Sequence, residues 1–280
     1  LTLPDGKLLF EYSLSGLQAD LVERIVIVAL KDHIEKYSSE KFIVDVLSKY
    51  CNKVDIVKLD NPTKSQSQTV AEAIDQARVV GPIYIKDCDN YFETKIGSNN
   101  CISYCDLHDF DKVNAANKSY ISVDEFGCVK NITEKKIISP YFCCGGYQFE
   151  SAEEFLRGYN QVLDDTNLKE IYVSHVIYQM VINGSIFYTN KADNFKDIGT
   201  IKEYEEYTSR HITIFCDIDG VLLKNSSAFA EDPWGISPLE NNIASLKKIM
   251  QINNTYLVVT TSRPLSSKEK LEKGLEALGI

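Results

Sequence analysis

Hydrophobic and polar positions change period repeatedly along the first two hundred residues. Ile25–Leu30 is an uninterrupted apolar run, residues 40–50 are amphipathic at a helical period, and residues 54–58 are short and β-branched. Residues 68–79 are helical again, and residues 82–85 return to an apolar strand. Strands alternating with helices predict a parallel sheet covered by helices. Further on, Ser151-x-x-Glu154 has the spacing of a capping box and opens a helix to about Val162. Residues 171–182 form another helix, closed by Asn183-Gly184, and residues 186–189 a short strand. A charged helix over 201–207 then gives way to the β-rich run 211–216, which restarts a strand–loop–helix pattern. The domain boundary is therefore placed between 207 and 208, giving two α/β domains, 1–207 and 208–280. In the second, residues 241–252 are an amphipathic helix, 256–260 a buried strand, and Ser266-x-x-Glu269 is expected to cap a last helix.

Composition narrows the classes of partner. The chain has 280 residues, 44% of them hydrophobic, which suits two modest cores. A formal net charge of -10 argues against nucleic acid or an anionic membrane as the main partner, since both call for a basic footprint. No apolar run approaches the roughly 20 residues of a membrane span, and no basic-then-apolar leader is present, so a cytoplasmic location is expected. The eight cysteines are read as free thiols, and Cys101, Cys105 and His108 match no zinc-finger or ribbon spacing. Five Asn-x-Ser/Thr sequons, Asn131 and Asn183 among them, carry no weight without a secretory signal.

Two Asp-x-Asp pairs carry the candidate chemistry. Asp87 and Asp89 follow the apolar segment Gly81-Pro-Ile-Tyr-Ile, and residues two apart on a strand share a face, so both carboxylates are expected to approach one cation. Magnesium prefers hard oxygen ligands and keeps substrate phosphates in its shell. The segments around this pair resemble the sugar-phosphate nucleotidyltransferases, the pyrophosphorylases that make nucleotide sugars, over residues 1–207. Leu3-Pro-Asp-Gly-Lys-Leu-Leu-Phe-Glu-Tyr resembles the stretch after that family's Pro-Lys signature, and Asp87-Cys-Asp-Asn-Tyr-Phe its metal-binding strand end. Gln66, Gln68 and Thr69 fall where the family approaches the nucleotide base. Ile132-Thr-Glu134-Lys135 resembles the Glu-Lys-Pro sugar-phosphate contact, Cys144-Gly145-Gly146-Tyr147 the glycine turn beneath the sugar, and Asp197-Ile-Gly199-Thr200 the segment giving the metal a second carboxylate. The resemblance implies a Rossmann-like sheet with flanking helices. It also implies Mg2+ on Asp89 and Asp197 with Asp87 beside them, and Lys135 holding the acceptor phosphate. The acceptor, a phosphorylated sugar or polyol, would attack the α-phosphorus of a nucleoside triphosphate and expel pyrophosphate. A homo-oligomer is compatible with the family. Because the family opens with a Gly-rich triphosphate loop and nothing like it precedes Leu1, the chain is expected to be a piece of a longer protein.

The second pair stands on its own motif. In Ile212-Thr-Ile-Phe-Cys-Asp217-Ile-Asp219-Gly220 an apolar strand delivers two carboxylates to a tight turn, which suits an aspartyl nucleophile beside an acid/base. From His211 onward the chain resembles the haloacid-dehalogenase-type phosphatases, a second Rossmann-like domain. That resemblance implies Asp217 as nucleophile and magnesium ligand, Asp219 as acid/base and second metal-site acid, and Thr261 holding the phosphoryl oxygens, with Thr260 the alternative. The family's lysine and last pair of acids are expected beyond Ile280. The expectation is a bifunctional enzyme of nucleotide-activated sugar or polyol synthesis, of the kind used for capsular polysaccharide. Its rivals are a nucleotide-sugar-dependent glycosyltransferase and a non-catalytic binding module. The base preference is not readable from residues 66–69.

Overall fold

In the computed structural model, which describes residues 1–18, 22–37, 39–110, 113–164 and 168–280, the chain falls into two units: Leu9–Gly199, and Leu1–Leu8 together with Thr200–Ile280. The larger unit begins with α1 (Leu9–Ser15) and β1 (Leu17–Gln18), followed by β2 (Ile25–Leu30), α2 (Lys31–Tyr37), α3 (Glu40–Leu47), β3 (Val54–Leu59) and α4 (Gln66–Ala77). β2 and β3 pair in parallel from Ile25↔Val54 to Leu30↔Leu59, as expected of strands joined through helices. α4 starts where the Ser65 hydroxyl accepts from the Gln68 N–H at 3.3 Å, an N-cap, and it stops at Arg78 in a left-handed conformation.

The remaining elements are β4 (Ile83–Lys86), β5 (Asn90–Lys95), β6 (Cys101–Asp106), β7 (Ser119–Val123), β8 (Val129–Glu134), β9 (Tyr141–Phe149), α5 (Ala152–Leu163), α6 (Val173–Ile182), β10 (Tyr188–Lys191) and β11 (Asp193–Asp197). Here the strand order departs from an all-parallel sheet. β4 pairs antiparallel with β9, from Ile83↔Phe149 to Lys86↔Gly146, in a mixed sheet ordered β10-β6-β9-β7-β8. The apolar periodicity of a strand reports which faces are buried, not which neighbour it takes, and β9, buried along nearly its whole length, takes β4, β6 and β7 as neighbours. A third sheet runs β1-β5-β11. α5 and α6 cover the mixed sheet through Phe149, Phe155, Ile177 and Phe187, and the Phe149 ring meets Phe155 edge-on at 5.0 Å. A separate cluster of Phe92, Tyr120, Phe142 and Phe195 packs between β5, β7, β9 and β11.

The smaller unit contains α7 (Ile201–Thr208), β12 (Ile212–Asp217), α8 (Glu240–Met250), β13 (Thr255–Thr260) and α9 (Lys268–Ala277). Thr200 and Glu203 form a reciprocal capping box at the start of α7, and the Tyr204 hydroxyl donates to the Thr2 carbonyl at 2.6 Å. β12 and β13 are parallel, with Asp217 opposite Thr260, over a core of Ile218, Leu222, Leu223, Ile243, Leu246 and Leu271. The cap expected at Ser266 does not form. Pro264 leads into a 3-10 turn over Leu265–Ser267, and α9 starts at Lys268. Among the described residues, no helix is long and apolar enough to cross a membrane.

Candidate active site

β4 ends at Lys86 and β5 begins at Asn90, so Asp87, Cys88 and Asp89 form a tight link between strands of two different sheets. Asp87 and Asp89 therefore do not share a strand face, and their carboxylates have different surroundings. Asp87 is tied down on all sides. Its carboxylate accepts from the Gln66 amide, its N–H donates to the Gly145 carbonyl at 2.9 Å, and its carbonyl accepts from Ser13 and from Lys86, each at 2.7 Å. Burial, reinforced by the negative charge of Asp89, pushes the Asp87 carboxyl up to about 6. The Lys86 ammonium also donates to the Asn90 side-chain oxygen at 2.6 Å and lies 4.4 Å from the centre of the Phe92 ring. Burial pushes it down to about 8. Gly145, at φ 88°, lets β9 pass over this link, for a Cβ there would stand 2.4 Å from an Asp87 carboxylate oxygen.

Asp89 meets Asp197 through sheet register. β11 runs antiparallel to β5 with Asp197 opposite Asn90, and the Ile198 N–H donates to the Asp89 carbonyl at 3.0 Å. Both carboxylates flank Gly199, where a Cβ would stand 2.9 Å from an Asp89 oxygen and 3.6 Å from an Asp197 oxygen. Two carboxylates on rigid backbone, beside space for phosphate oxygens, fit the donor set of magnesium, which is usually held by one or two acids plus substrate phosphates. Among the described residues, no three His, Cys, Asp or Glu side chains cluster as a ready-made metal cage. Asp197 is ion-paired with Lys118, whose ammonium also lies 5.3 Å from the centre of the Phe195 ring.

The opposite wall comes from β7, β8 and α6. Glu134, opposite Ser119 in the β7–β8 register, accepts from the Ser119 hydroxyl and from the Ser174 hydroxyl at 2.6 Å. Lys135, at φ 53°, hydrogen-bonds to the Tyr172 hydroxyl and lies 4.3 Å from the centre of that ring. The hydrogen bond to Tyr172 raises the Lys135 ammonium above its ordinary value. These groups enclose a cavity of about 670 Å³ lined by Gln66, Asp87, Asp89, Lys118, Glu134, Lys135, Tyr172 and Asp197 among others, a size suited to a nucleotide-sized ligand.

No protein-family model matches the chain, and no curated protein matches it. Solved structures do match. A nucleoside-diphosphate-sugar pyrophosphorylase from Vibrio cholerae RC9 aligns with a TM-score of 0.63 at 16% identity, over 75% of this chain and 90% of that one. The inositol-1-phosphate CTP transferase from T. maritima aligns at 0.55 and 16% identity, over 74% and 84% of the two chains. The CTP:phosphocholine cytidylyltransferase from Streptococcus pneumoniae aligns at 0.53 and 14% identity, over 74% and 88%. Most of this chain has the nucleotidyltransferase fold. At these identities the likeness is one of fold.

Within the nucleotidyltransferase fold, the sequence-based candidates separate into two groups. Gln66, Asp87, Asp89, Glu134, Lys135 and Asp197 line the cavity. Gln68, Thr69 and Gly146 are not among its lining residues. Gln68 and Thr69 build the first turn of α4, Gln68 accepting from the Lys64 N–H at 2.8 Å and Thr69 donating to the Ser65 carbonyl at 3.1 Å. Gly146 is buried in β9, where a Cβ would stand 2.3 Å from the Tyr84 hydroxyl. Lys118, Ser119, Tyr172 and Ser174 line the cavity and were not singled out from the sequence. Lys118 and Ser119 open a strand, where a polar residue reads as a boundary, and Tyr172 and Ser174 open a helix, where they read as caps.

In the smaller unit, Asp217 is exposed at the end of β12 and Asp219 lies in the turn that follows. Asp219 is clamped by Arg263, whose guanidinium donates to both carboxylate oxygens at 2.8–3.2 Å and to the carbonyls of Trp234 and Gly235 at 2.9 and 3.1 Å. The Arg263 side chain is 1% exposed. Thr261 reaches Asp219 at 3.5 Å and accepts from the Arg263 N–H at 3.1 Å, whereas Thr260 points its hydroxyl to the Cys216 carbonyl at 3.4 Å. Arg263 is the partner that sequence reading missed. Its place in Thr261-Ser-Arg263-Pro was legible, but its target 44 residues away was not.

Proposed function

We propose that the larger unit is a nucleotidyltransferase that joins the nucleotidyl group of a nucleoside triphosphate to a phosphorylated sugar, polyol or similar phosphoester, releasing pyrophosphate. The observation that carries this reading is the convergence of Asp89 and Asp197 at Gly199, in one cavity with Lys118, Glu134 and Lys135. Asp89 and Asp197 would hold Mg2+, which when bound neutralises charge on the α-phosphate. Asp87 contributes by holding the link in place through Gln66, Ser13 and Gly145, more than by ligating. Lys135, steadied on Tyr172, is positioned to hold the acceptor phosphate, and catalysis rests on positioning and charge stabilisation. That three proteins of the same fold carry names of pyrophosphorylases and cytidylyl- or CTP transferases supports the reaction class. The test is Mg2+-dependent pyrophosphate release by the full-length protein, across the common nucleoside triphosphates and a panel of sugar, polyol and amino-alcohol phosphates. Release with no pair would sink the reading, and sugar transfer from a nucleotide sugar without pyrophosphate would replace it with a glycosyltransferase.

For the smaller unit we infer a haloacid-dehalogenase-type phosphohydrolase, with Asp217 as nucleophile and Thr261 binding phosphoryl oxygens. Supporting it are the exposure of Asp217 at a parallel strand's carboxyl end and the adjacent end of β13. Asp219, the expected acid/base, already accepts from Arg263 on both oxygens, so proton transfer through it would require that clamp to loosen. Phosphate release from sugar phosphates that is lost in Asp217→Asn is the expected result. Release unaffected by that substitution would remove the assignment.

A further inference from the structure

The ion pair between Lys118 and Asp197 places a lysine ammonium on one of the two carboxylates that converge at Gly199. Resting on the metal reading above, we propose that Lys118 is an internal counter-ion for Asp197, that a divalent cation arriving at Asp89 and Asp197 expels it, and that the expelled ammonium then binds a phosphate oxygen in the cavity.

The argument is one of charge and reach. The side chains of Lys118 and Asp197 are only 15% and 22% exposed, so their charges are poorly screened by solvent. A doubly charged ion on the same carboxylate repels the ammonium at close range, and in such surroundings that repulsion weakens the hold on Lys118. The backbone of Lys118 is fixed, its carbonyl accepting from the Lys135 N–H at 3.1 Å. Its four-carbon stem is not, and swinging it moves the charge without disturbing the β7–β8 register. Because Lys118 and Lys135 are linked through that backbone bond and line the same cavity, the freed ammonium would enter the space that already holds Lys135. One lysine would thus serve two states, neutralising the acids when the metal is away and the phosphates when it is present.

Mn2+ binding, read by electron paramagnetic resonance without nucleotide, separates this from a merely structural lysine. Lys118→Gln is expected to tighten Mn2+ binding about tenfold, whereas Lys118→Arg, which keeps the charge, leaves it within about twofold of the wild type. The same Lys118→Gln protein should bind the Mn2+–pyrophosphate complex more weakly than the wild type. Asp89→Asn and Asp197→Asn should both weaken Mn2+. If those two variants weaken Mn2+ but Lys118→Gln leaves it unchanged or weaker, the counter-ion role is wrong and the metal reading stands. If neither aspartate variant alters Mn2+ affinity, the metal reading falls and this proposal with it. A measurement on the wild type covers the case of a variant that does not fold: Mg2+ should raise the rate of reductive methylation at Lys118 several-fold, read by mass spectrometry, and an unchanged or slower rate overturns the proposal.

Discussion

Asp87→Asn tests whether the candidate site is held together at the expense of stability. In the folded protein, burial raises the Asp87 carboxyl from its ordinary 3.8 to about 6. Converted at about 1.36 kcal/mol per pH unit, this amounts to roughly 3 kcal/mol against the folded state when the group is ionised. Above the folded value, the acid is charged in both states and the folded state bears the whole penalty. As pH falls through the interval between the two values, the folded carboxyl takes up its proton first and the penalty fades, and below the lower value it is gone. Asparagine keeps an oxygen that can accept from Gln66 and has no charge to bury. Urea unfolding followed by far-ultraviolet circular dichroism should therefore find Asp87→Asn more stable than the wild type by about 2–3 kcal/mol at about pH 7.5, with the difference nearly gone at about pH 4. A variant less stable at the higher pH would refute the reasoning by showing that the carboxylate's bonds outweigh its burial, and a difference equal at both would refute it by showing that the effect does not come from the charge.

Gly145→Ala combines an unfavourable φ with a Cβ 2.4 Å from Asp87 and 2.7 Å from the Asn90 amide. It is expected to lose about 2–4 kcal/mol and to lower the unfolding temperature by roughly 5–15 °C, checked by calorimetry. In the smaller unit, Arg263→Met leaves the Trp234 and Gly235 carbonyls without their Arg263 donor and Asp219 with only the 3.5 Å contact from Thr261, and should destabilise it by about 3–5 kcal/mol, with faster amide exchange around residues 232–236 as the readout. Asp197→Asn should raise the Mg2+ concentration needed for half-maximal pyrophosphate release and cut kcat by about a hundredfold or more. Tyr172→Phe, which removes the hydroxyl that steadies Lys135, should raise KM for the phosphorylated acceptor several-fold while leaving KM for the nucleotide unchanged.

Local pattern carried the elements well. Ile25–Leu30 is a strand to the residue, Ser151 caps α5 by accepting from the Glu154 N–H, and Gly184 ends the chain's exit from α6 with a positive φ. Pairing partners were much less legible, because β4 has the apolar composition of a strand for either a parallel or a mixed sheet, and only its fit against β9 decides. The same limit applied to the candidate site. Asp89 and Asp197 could be set side by side through resemblance, but the register that joins them is a property of β5 and β11 together. The spacing of Asp87 and Asp89 suggested a shared strand face, and the turn at 88–89 undoes it. Lys118 and Arg263 escaped notice for one reason: each earns its place through a carboxylate far away in sequence, and no local window contains both members of either pair.

The antiparallel docking of β11 on β5 also sets an order of events during synthesis. Asp89 leaves the ribosome about a hundred residues ahead of Asp197, and a closure that long is among the slower contacts a chain makes. Until β11 arrives, β5 has β1 on one side only and Asp89, in the link to β4, lacks Asp197 beside it. A nascent or truncated chain that stops short of Asp193 would hold much of the mixed sheet and only one of the two carboxylates that meet at Gly199. If Asp89 and Asp197 hold the ion as proposed, divalent-ion affinity would report completed folding of the larger unit, and a polypeptide released early would bind the ion weakly.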